Sequence, residues 1–398
     1  MTKELQKQKS KENMETLLIH PPHSELPVGN RALVPGIEVS TKFTFEKFED
    51  LENLIAGKGR GYLYSRVMNP TVHSLEMTLA KLQGVEAGLC TSSGVSAIST
   101  LMFTLLKAGD HIVYFIESYK PTRYIIEKFL GKWGIKSTIL SIRDHTSIET
   151  ALSQPNTKLA VFESPTNPLL HIADIEFISK KCREVGAYSV LDNTFAGFHN
   201  HANLGVDIFI HSLTKFAGGH SDTMGGAILS TEKIIDSIRW PAAEIGAVLD
   251  PATAHQIQKG LKTYSLRYER ACENALKIAN FLEGCREVSN VRYPGLDSHP
   301  QKSLADKQQK DSGTIVSFDL DKALSLPDFF NSLNLFKVSP SLGCVESLAA
   351  PVNLFYGGLL SEENKVISEI SENSIRLSIG IENVDDLLTD LKKSLRSC

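Results

Sequence analysis

The sequence predicts an α/β protein: a large domain built on a mostly parallel sheet covered by helices, followed by a smaller C-terminal α+β domain. Three observations carry this. Short, nearly continuous apolar runs such as His111–Ile116, Leu159–Phe162 and Asp207–Ile210 recur through the first two thirds of the chain. Helical stretches separate them, as in a parallel sheet whose strands are buried on both faces. After about residue 255 the rhythm changes to one long helical stretch and then mixed strand and helix. The expected divisions are an N-terminal arm over 1–60, the large domain over 61–255 and the C-terminal domain over 256–398.

Taken in order, residues 1–15 are rich in Lys, Glu and Gln and read as solvated, and the prolines from Pro21 to Pro35 imply an extended arm. Lys58-Gly59-Arg60-Gly61 is a basic glycine loop, but no strand precedes it, so it is not read as a dinucleotide motif. Ala87–Leu106 is uncharged and long enough to cross a membrane. Its glycines and many Ser and Thr residues instead read as a buried glycine loop entering a core helix at Gly94. Pro121–Trp133 and Asp174–Val185 read as helices, and Thr138–Leu140, Ser189–Leu191 and Gly226–Leu229 as strands. Thr253–Leu282 reads as one long helical stretch with a break near Gly260. Beyond it come strands at Gly313–Leu320 and Ile375–Ile379, a helix at Asp328–Leu333 and an amphipathic final helix at Val384–Leu395.

Charge excludes some functions. The 42 Lys and Arg nearly balance 46 Asp and Glu, leaving no basic excess for nucleic acid or an anionic membrane. The six cysteines form no Cys-x-x-Cys and sit at no metal-finger spacing, so they read as reduced thiols of a cytoplasmic protein without a structural metal. Lys3–Lys9 lacks the apolar core of a signal peptide. His199-Asn200-His201 reads as loop histidines, since no Cys or carboxylate neighbour completes a metal set.

Ligands of such sheets gather at the carboxyl ends of the strands. There the chain places Asp192 and Thr194 after one strand, and Ser212, Thr214 and Lys215 after another. A buried Asp and Lys at neighbouring strand ends make either a structural ion pair or a pyridoxal phosphate site. In the second reading Lys215 is the amine that forms the imine, and Asp192 keeps the ring nitrogen protonated. Ser212 and Thr214 donate to the phosphate, which rests on the free amides where a helix starts at Gly94. Tyr119, past the strand His111–Ile116, stacks on the ring. The combination favours the coenzyme.

Several motifs then resemble the Cys/Met-metabolism enzymes of PLP fold type I, which include cystathionine β- and γ-lyases, cystathionine γ-synthase, methionine γ-lyase and homoserine-ester sulfhydrylases. The likeness runs over about residues 35–397. It is carried by Gly61–Arg66 with Asn69-Pro70-Thr71, Ser92-Ser93-Gly94, Glu163–Pro168, Asp192-Asn193-Thr194, and above all His211–Asp222. Gly260–Thr263, Tyr293–Leu296, Glu346-Ser347-Leu348 and Arg376–Glu382 complete it. The resemblance implies cofactor roles for Gly94, Val95, Tyr119, Asp192, Thr194, Ser212, Thr214 and Lys215. It implies that Tyr64 and Arg66 reach the phosphate held by a neighbouring subunit, hence a homotetramer made of two active dimers. It also implies that Asn167, Ser347 and Arg376 grip the α-carboxylate of a sulfur amino-acid substrate, for which a planar guanidinium is suited.

The expected reaction is carbon–sulfur bond cleavage in a cystathionine-type substrate, by β- or γ-elimination to a thiol, an α-keto acid and ammonia. Lys215 removes the Cα proton and Tyr119 is the acid for the departing thiolate. The alternative is γ-replacement, by a cystathionine γ-synthase or an O-acyl-homoserine sulfhydrylase; a catalytically idle binding subunit is a third reading, disfavoured by the presence of Lys215, Asp192, Tyr119 and Arg376. The chain departs from the family pattern at Lys120-Pro121, where Pro121 takes the place of the cysteine of methionine γ-lyases and argues against that activity. It departs again at Cys344 and over 350–356.

Overall fold

The computed structural model describes residues 29–59, 61–356 and 360–398. The solvated stretch expected at 1–15, the part of the proline arm before residue 29, and Arg60 of the basic loop lie outside them. Met1–Ile37 forms a unit apart from Glu38–Cys398, and its described part contains no helix or strand. All that follows concerns the second unit.

The apolar runs become the strands of a seven-stranded sheet: β1 Ala87–Thr91, β2 His111–Phe115, β3 Lys136–Leu140, β4 Thr157–Glu163, β5 Tyr188–Asp192, β6 Ile208–Ser212 and β7 Gly226–Ser230, in the order β1-β7-β6-β5-β4-β2-β3. The pairs from β3 through β6 are parallel, and β7 is antiparallel to both β6 and β1. The sheet is therefore mostly parallel. Successive side chains enter separate cores: Val113, Phe115, Ala160, Phe162 and Phe209 on one face, Ile112, Tyr114, Leu159, Val161, Ile208 and Ile210 on the other. Where both faces are dry, as along β2, β4 and β6, a largely apolar run is what the strand requires, each large side chain contributing about 1.5–3 kcal/mol on burial.

Strand β1 departs from expectation, since Ala87–Thr91 reads as loop in sequence. It is held from outside itself: the buried Glu76 accepts the Cys90 amide at 2.9 Å, and Arg239 bonds both Glu76, at 3.0 Å, and the Gly88 carbonyl, at 2.9 Å. The long helical stretch is two helices, Pro251–Leu261 and Tyr264–Glu283, parted at Lys262-Thr263. A Cβ on Gly260 would lie 2.4 Å from the Gly218 carbonyl and 2.6 Å from that of Ala217, so here the helix touches the backbone just past Lys215.

The smaller sheet comprises β8 Val288–Arg292, β9 Ile315–Leu320, β10 Lys337-Val338, β11 Leu348–Pro351 and β12 Ser374–Ser378, in the order β10-β11-β12-β9-β8. Strands β9 and β12 match the two expected. The short β10 and β11 and the half-polar β8 carry too little periodicity to be seen in sequence. The helices Tyr264–Glu283 and Val384–Ser397 pack on this sheet through Ala275, Ile278, Leu282, Leu387 and Leu391.

Candidate active site

Parallel strands end on the same edge, and that edge gathers the chemistry. Glu163 closes β4 in register with Asp192, which closes β5. Asp192 accepts hydrogen bonds from the Thr194 amide at 3.1 Å and the Thr194 hydroxyl at 2.6 Å. The same hydroxyl accepts the Ser212 amide at 2.9 Å, tying the end of β5 to that of β6. Thr214 is stitched to Gly225 in both directions, its hydroxyl accepting the amide at 3.1 Å and donating to the carbonyl at 3.3 Å. Across the edge Ser93 caps the helix Gly94–Leu105 by accepting the Ser96 amide at 3.0 Å, which leaves the amides of Gly94 and Val95 free.

These segments enclose a cavity of about 220 Å³, lined by ten of the residues singled out or adjoining them: Ser93, Gly94, Val95, Tyr119, Asn167, Asp192, Thr194, Ser212, Thr214 and Lys215. Lys215 and Asp192 face it without meeting. Among the described residues, Lys215 Nζ donates to Ser341 Oγ at 2.8 Å, while Asp192 bonds only within its own turn. The structural ion pair is thus absent. Burial, then the nearby Arg376, lowers the Lys215 pKa, and burial raises that of Asp192. Tyr119 is raised by burial, then by Tyr356 and the two carboxyl groups, so its phenol keeps its proton.

The residues fit pyridoxal phosphate. A buried carboxyl with no cation beside it suits a protonated ring nitrogen, an amine with no carboxylate beside it suits an aldehyde, and bare helix amides suit a phosphate. Gly94 lets the start of the helix lie close against Ser212: a Cβ there would lie 2.9 Å from Ser212 Cβ.

Four residues lie outside the cavity lining. Arg376, fully buried, stands behind Asn167 and Tyr356: Nη1 donates to Asn167 Oδ1 at 2.7 Å, Nη2 to the carbonyls of Pro340 and Ser341, and the Tyr356 ring lies 5.0 Å away. Its Nε has no partner among the described residues. Ser347 is committed to Glu382 at 2.8 Å and to the Gly380 amide. Tyr64 pairs by a bridge with Lys42, and Arg66 bonds the Ala243 carbonyl at 2.9 Å and Glu244 at 3.1 Å. Sequence reasoning missed three contributors: Glu163, which accepts the Tyr119 amide, Ser341 and Tyr356. Glu163 sits inside a motif already noted, whereas Ser341 and Tyr356 come from the small-sheet half and have no local signature.

The sequence model described as Cys/Met metabolism PLP-dependent enzyme matches residues 15–396. The L-methionine gamma-lyase of Pseudomonas putida is 37% identical over 92% of this chain and 93% of its own. The cystathionine beta-lyase of Lactococcus lactis subsp. cremoris is 39% identical over 85% and 90%. The crystal structure of cystathionine gamma-lyase from Lactobacillus plantarum complexed with L-serine superposes with a TM-score of 0.86 at 34% identity, covering 96% of this chain and 98% of that one.

Proposed function

The chain belongs to the Cys/Met metabolism family of pyridoxal-phosphate-dependent enzymes, and we propose that it is a carbon–sulfur lyase for cystathionine-type amino acids, releasing thiol, α-keto acid and ammonia. The observation that carries this reading is an amine and a carboxyl group sharing one cavity without bonding each other, backed by a buried guanidinium with one N–H unspent.

When bound, the coenzyme supplies an electron-withdrawing ring that stabilises negative charge on the substrate carbon bearing the amine. Asp192 accepts the hydrogen bond of the protonated ring nitrogen, with Thr194 holding the carboxylate in place. Ser212, Thr214 and the amides of Gly94 and Val95 bind the phosphate. Lys215, whose lowered pKa makes the free amine more available, takes the proton from Cα at Nζ. Tyr119, in the cavity wall, would lie against the coenzyme ring and would donate its retained proton to the departing sulfur. Arg376 and Asn167 hold the substrate carboxylate, and Ser347 steadies the end of β12, which carries Arg376, through Glu382 and the Gly380 amide.

Tyr64 and Arg66 serve the phosphate site of a neighbouring copy, in a homotetramer of two such dimers. This is supported by their place outside their own chain's cavity, and by the helix Phe48–Ile55, which buries none of its residues. The expected domain divisions, 1–60, 61–255 and 256–398, go with this arrangement, and six free cysteines accord with a cytoplasmic enzyme.

Incubating the holoenzyme with cystathionine tests the proposal. Pyruvate with homocysteine marks β-elimination, and 2-oxobutyrate with cysteine marks γ-elimination. Product from an acylated homoserine and a thiol, with neither of these, replaces the lyase reading by the γ-replacement one.

A further inference from the structure

Arg376 lies outside the lining of the coenzyme cavity, and Tyr356 lies in it. Tyr356 ends the short helix Val352–Tyr356, inside the stretch where the chain departs from the family pattern, and is 6% exposed. Its ring covers the guanidinium, with Cζ 5.0 Å from the ring centre. Its hydroxyl donates to the Pro340 carbonyl at 3.0 Å, the same oxygen that Arg376 Nη2 reaches at 2.7 Å, so the phenol oxygen and Nη2 sit side by side. Asn167 and Arg376 both hydrogen-bond to that phenol, and burial keeps it protonated. Asn167 Oδ1 is already taken by Nη1 at 2.7 Å, which leaves Asn167 Nδ2 as the donor to the phenol.

One neutral oxygen therefore accepts from both groups assigned to the substrate carboxylate. A carboxylate oxygen can accept the same two bonds and adds a charge, which makes bonds from a guanidinium roughly twice as strong. In the empty site the buried guanidinium meets only neutral acceptors: the phenol, the Asn167 amide and the carbonyls of Pro340 and Ser341. Its Nε has no partner among the described residues. A carboxylate with one oxygen in the place of the phenol would have its other for Nε, the paired geometry that a planar guanidinium favours.

We propose that the Tyr356 hydroxyl occupies the seat of one substrate carboxylate oxygen, so that an amino acid binds by displacing it from Arg376 and Asn167. Between turnovers the phenol supplies an acceptor to a buried cation; on binding it gives way, and apparent affinity falls by what the phenol's own bonds contribute. This deepens the carboxylate role proposed for Arg376 and Asn167 and rests on it, whichever carbon–sulfur bond the enzyme cleaves.

Glycine and methylamine test it on the holoenzyme. Both bring an amine, only glycine brings a carboxylate, and neither carries a leaving group. Their dissociation constants can be read from the visible absorption of the coenzyme. In Tyr356→Phe glycine should bind about 3- to 10-fold tighter, the scale of one hydrogen bond, with methylamine as in the wild type. Tyr356→Leu, a second side chain without the oxygen, should move glycine the same way. An unchanged glycine constant in both variants makes the phenol structural and overturns the proposal. A weaker one makes it a donor to the carboxylate, which overturns it equally. Equal shifts for the two amines place the effect at the coenzyme and also count against it. Arg376→Ala tells this failure from that of the underlying role. Weaker glycine there, with no gain in Tyr356→Phe, sinks the displacement alone; no loss in Arg376→Ala sinks the carboxylate role with it.

Discussion

Lys215 Nζ, Asp192, the Tyr119 phenol and Arg376 Nε divide the proposed chemistry, and each makes a separable prediction. Lys215→Ala should abolish every lyase and replacement activity; residual turnover above about one part in a hundred exceeds what loss of the proton-transfer group allows. Tyr119→Phe should lower kcat about 10²-fold while leaving the Arg376-dependent KM nearly unchanged. Arg376→Ala removes charge-assisted bonds of about 1.5–3 kcal/mol, so KM should rise about 10- to 100-fold in steady-state assays, and an unaltered KM would take the carboxylate role from it. Two buried histidines away from the reaction predict acid sensitivity. Burial lowers His201 and His211 to a pKa of about 3, against about 6.5 in the unfolded chain. Below that value the unfolded state binds protons the native state refuses, so this stability is whole above about pH 6.5 and drains as pH falls towards 3. Each histidine contributes a slope of up to about 1.4 kcal/mol per pH unit. Urea midpoints compared at about pH 7 and pH 5 should fall, and a level profile contradicts the assignment. At this scale the motif residues Asp192, Ser212, Thr214 and Lys215 were legible because they follow apolar runs directly. Glu163 was visible as a letter and silent as a role, since only its register with Asp192 puts two carboxyl groups on one cavity wall.

Elements bring those residues into register, and the close approaches between elements are where sequence changes should tell. Gly260 lies against the backbone carbonyls of Ala217 and Gly218, with no flexible side chain to give way. Gly260→Ala would ordinarily favour a helix, yet here it should destabilise by about 1–3 kcal/mol by wedging Pro251–Leu261 off the Lys215 loop. Chemical denaturation checks the sign, and a gain in stability would refute the contact. The strands β2, β4 and β6 were readable because two-sided burial leaves a run of apolar residues at the centre of each. Strand β1 was not, because Glu76 and Arg239 on other elements make its position favourable. The break after Gly260 was legible from the glycine, though its reason, the passing chain at Ala217-Gly218, was not.

At the scale of the whole molecule, the helix Phe48–Ile55 presents Phe48 at 68% and Ile55 at 67% exposure, an apolar stripe that a lone chain leaves in water. If a second copy covers it, Phe48→Glu with Ile55→Glu should reduce the sedimenting mass and weaken coenzyme retention together; an unchanged assembly would separate this helix from the interface. The fold class, the two-part division into sheets and the residue types of the coenzyme site followed from the chain alone, because period, burial and strand-end placement are local in sequence. Tertiary structure alone decided that Lys215 turns to Ser341 and not to Asp192, that Tyr356 covers Arg376, and that Arg123, Ser118 and His171 share one small void. The first of these joins positions 126 residues apart, one from each sheet's half of the chain, and no local pattern of residues records any of the three, because each depends on how separate elements come to lie against one another.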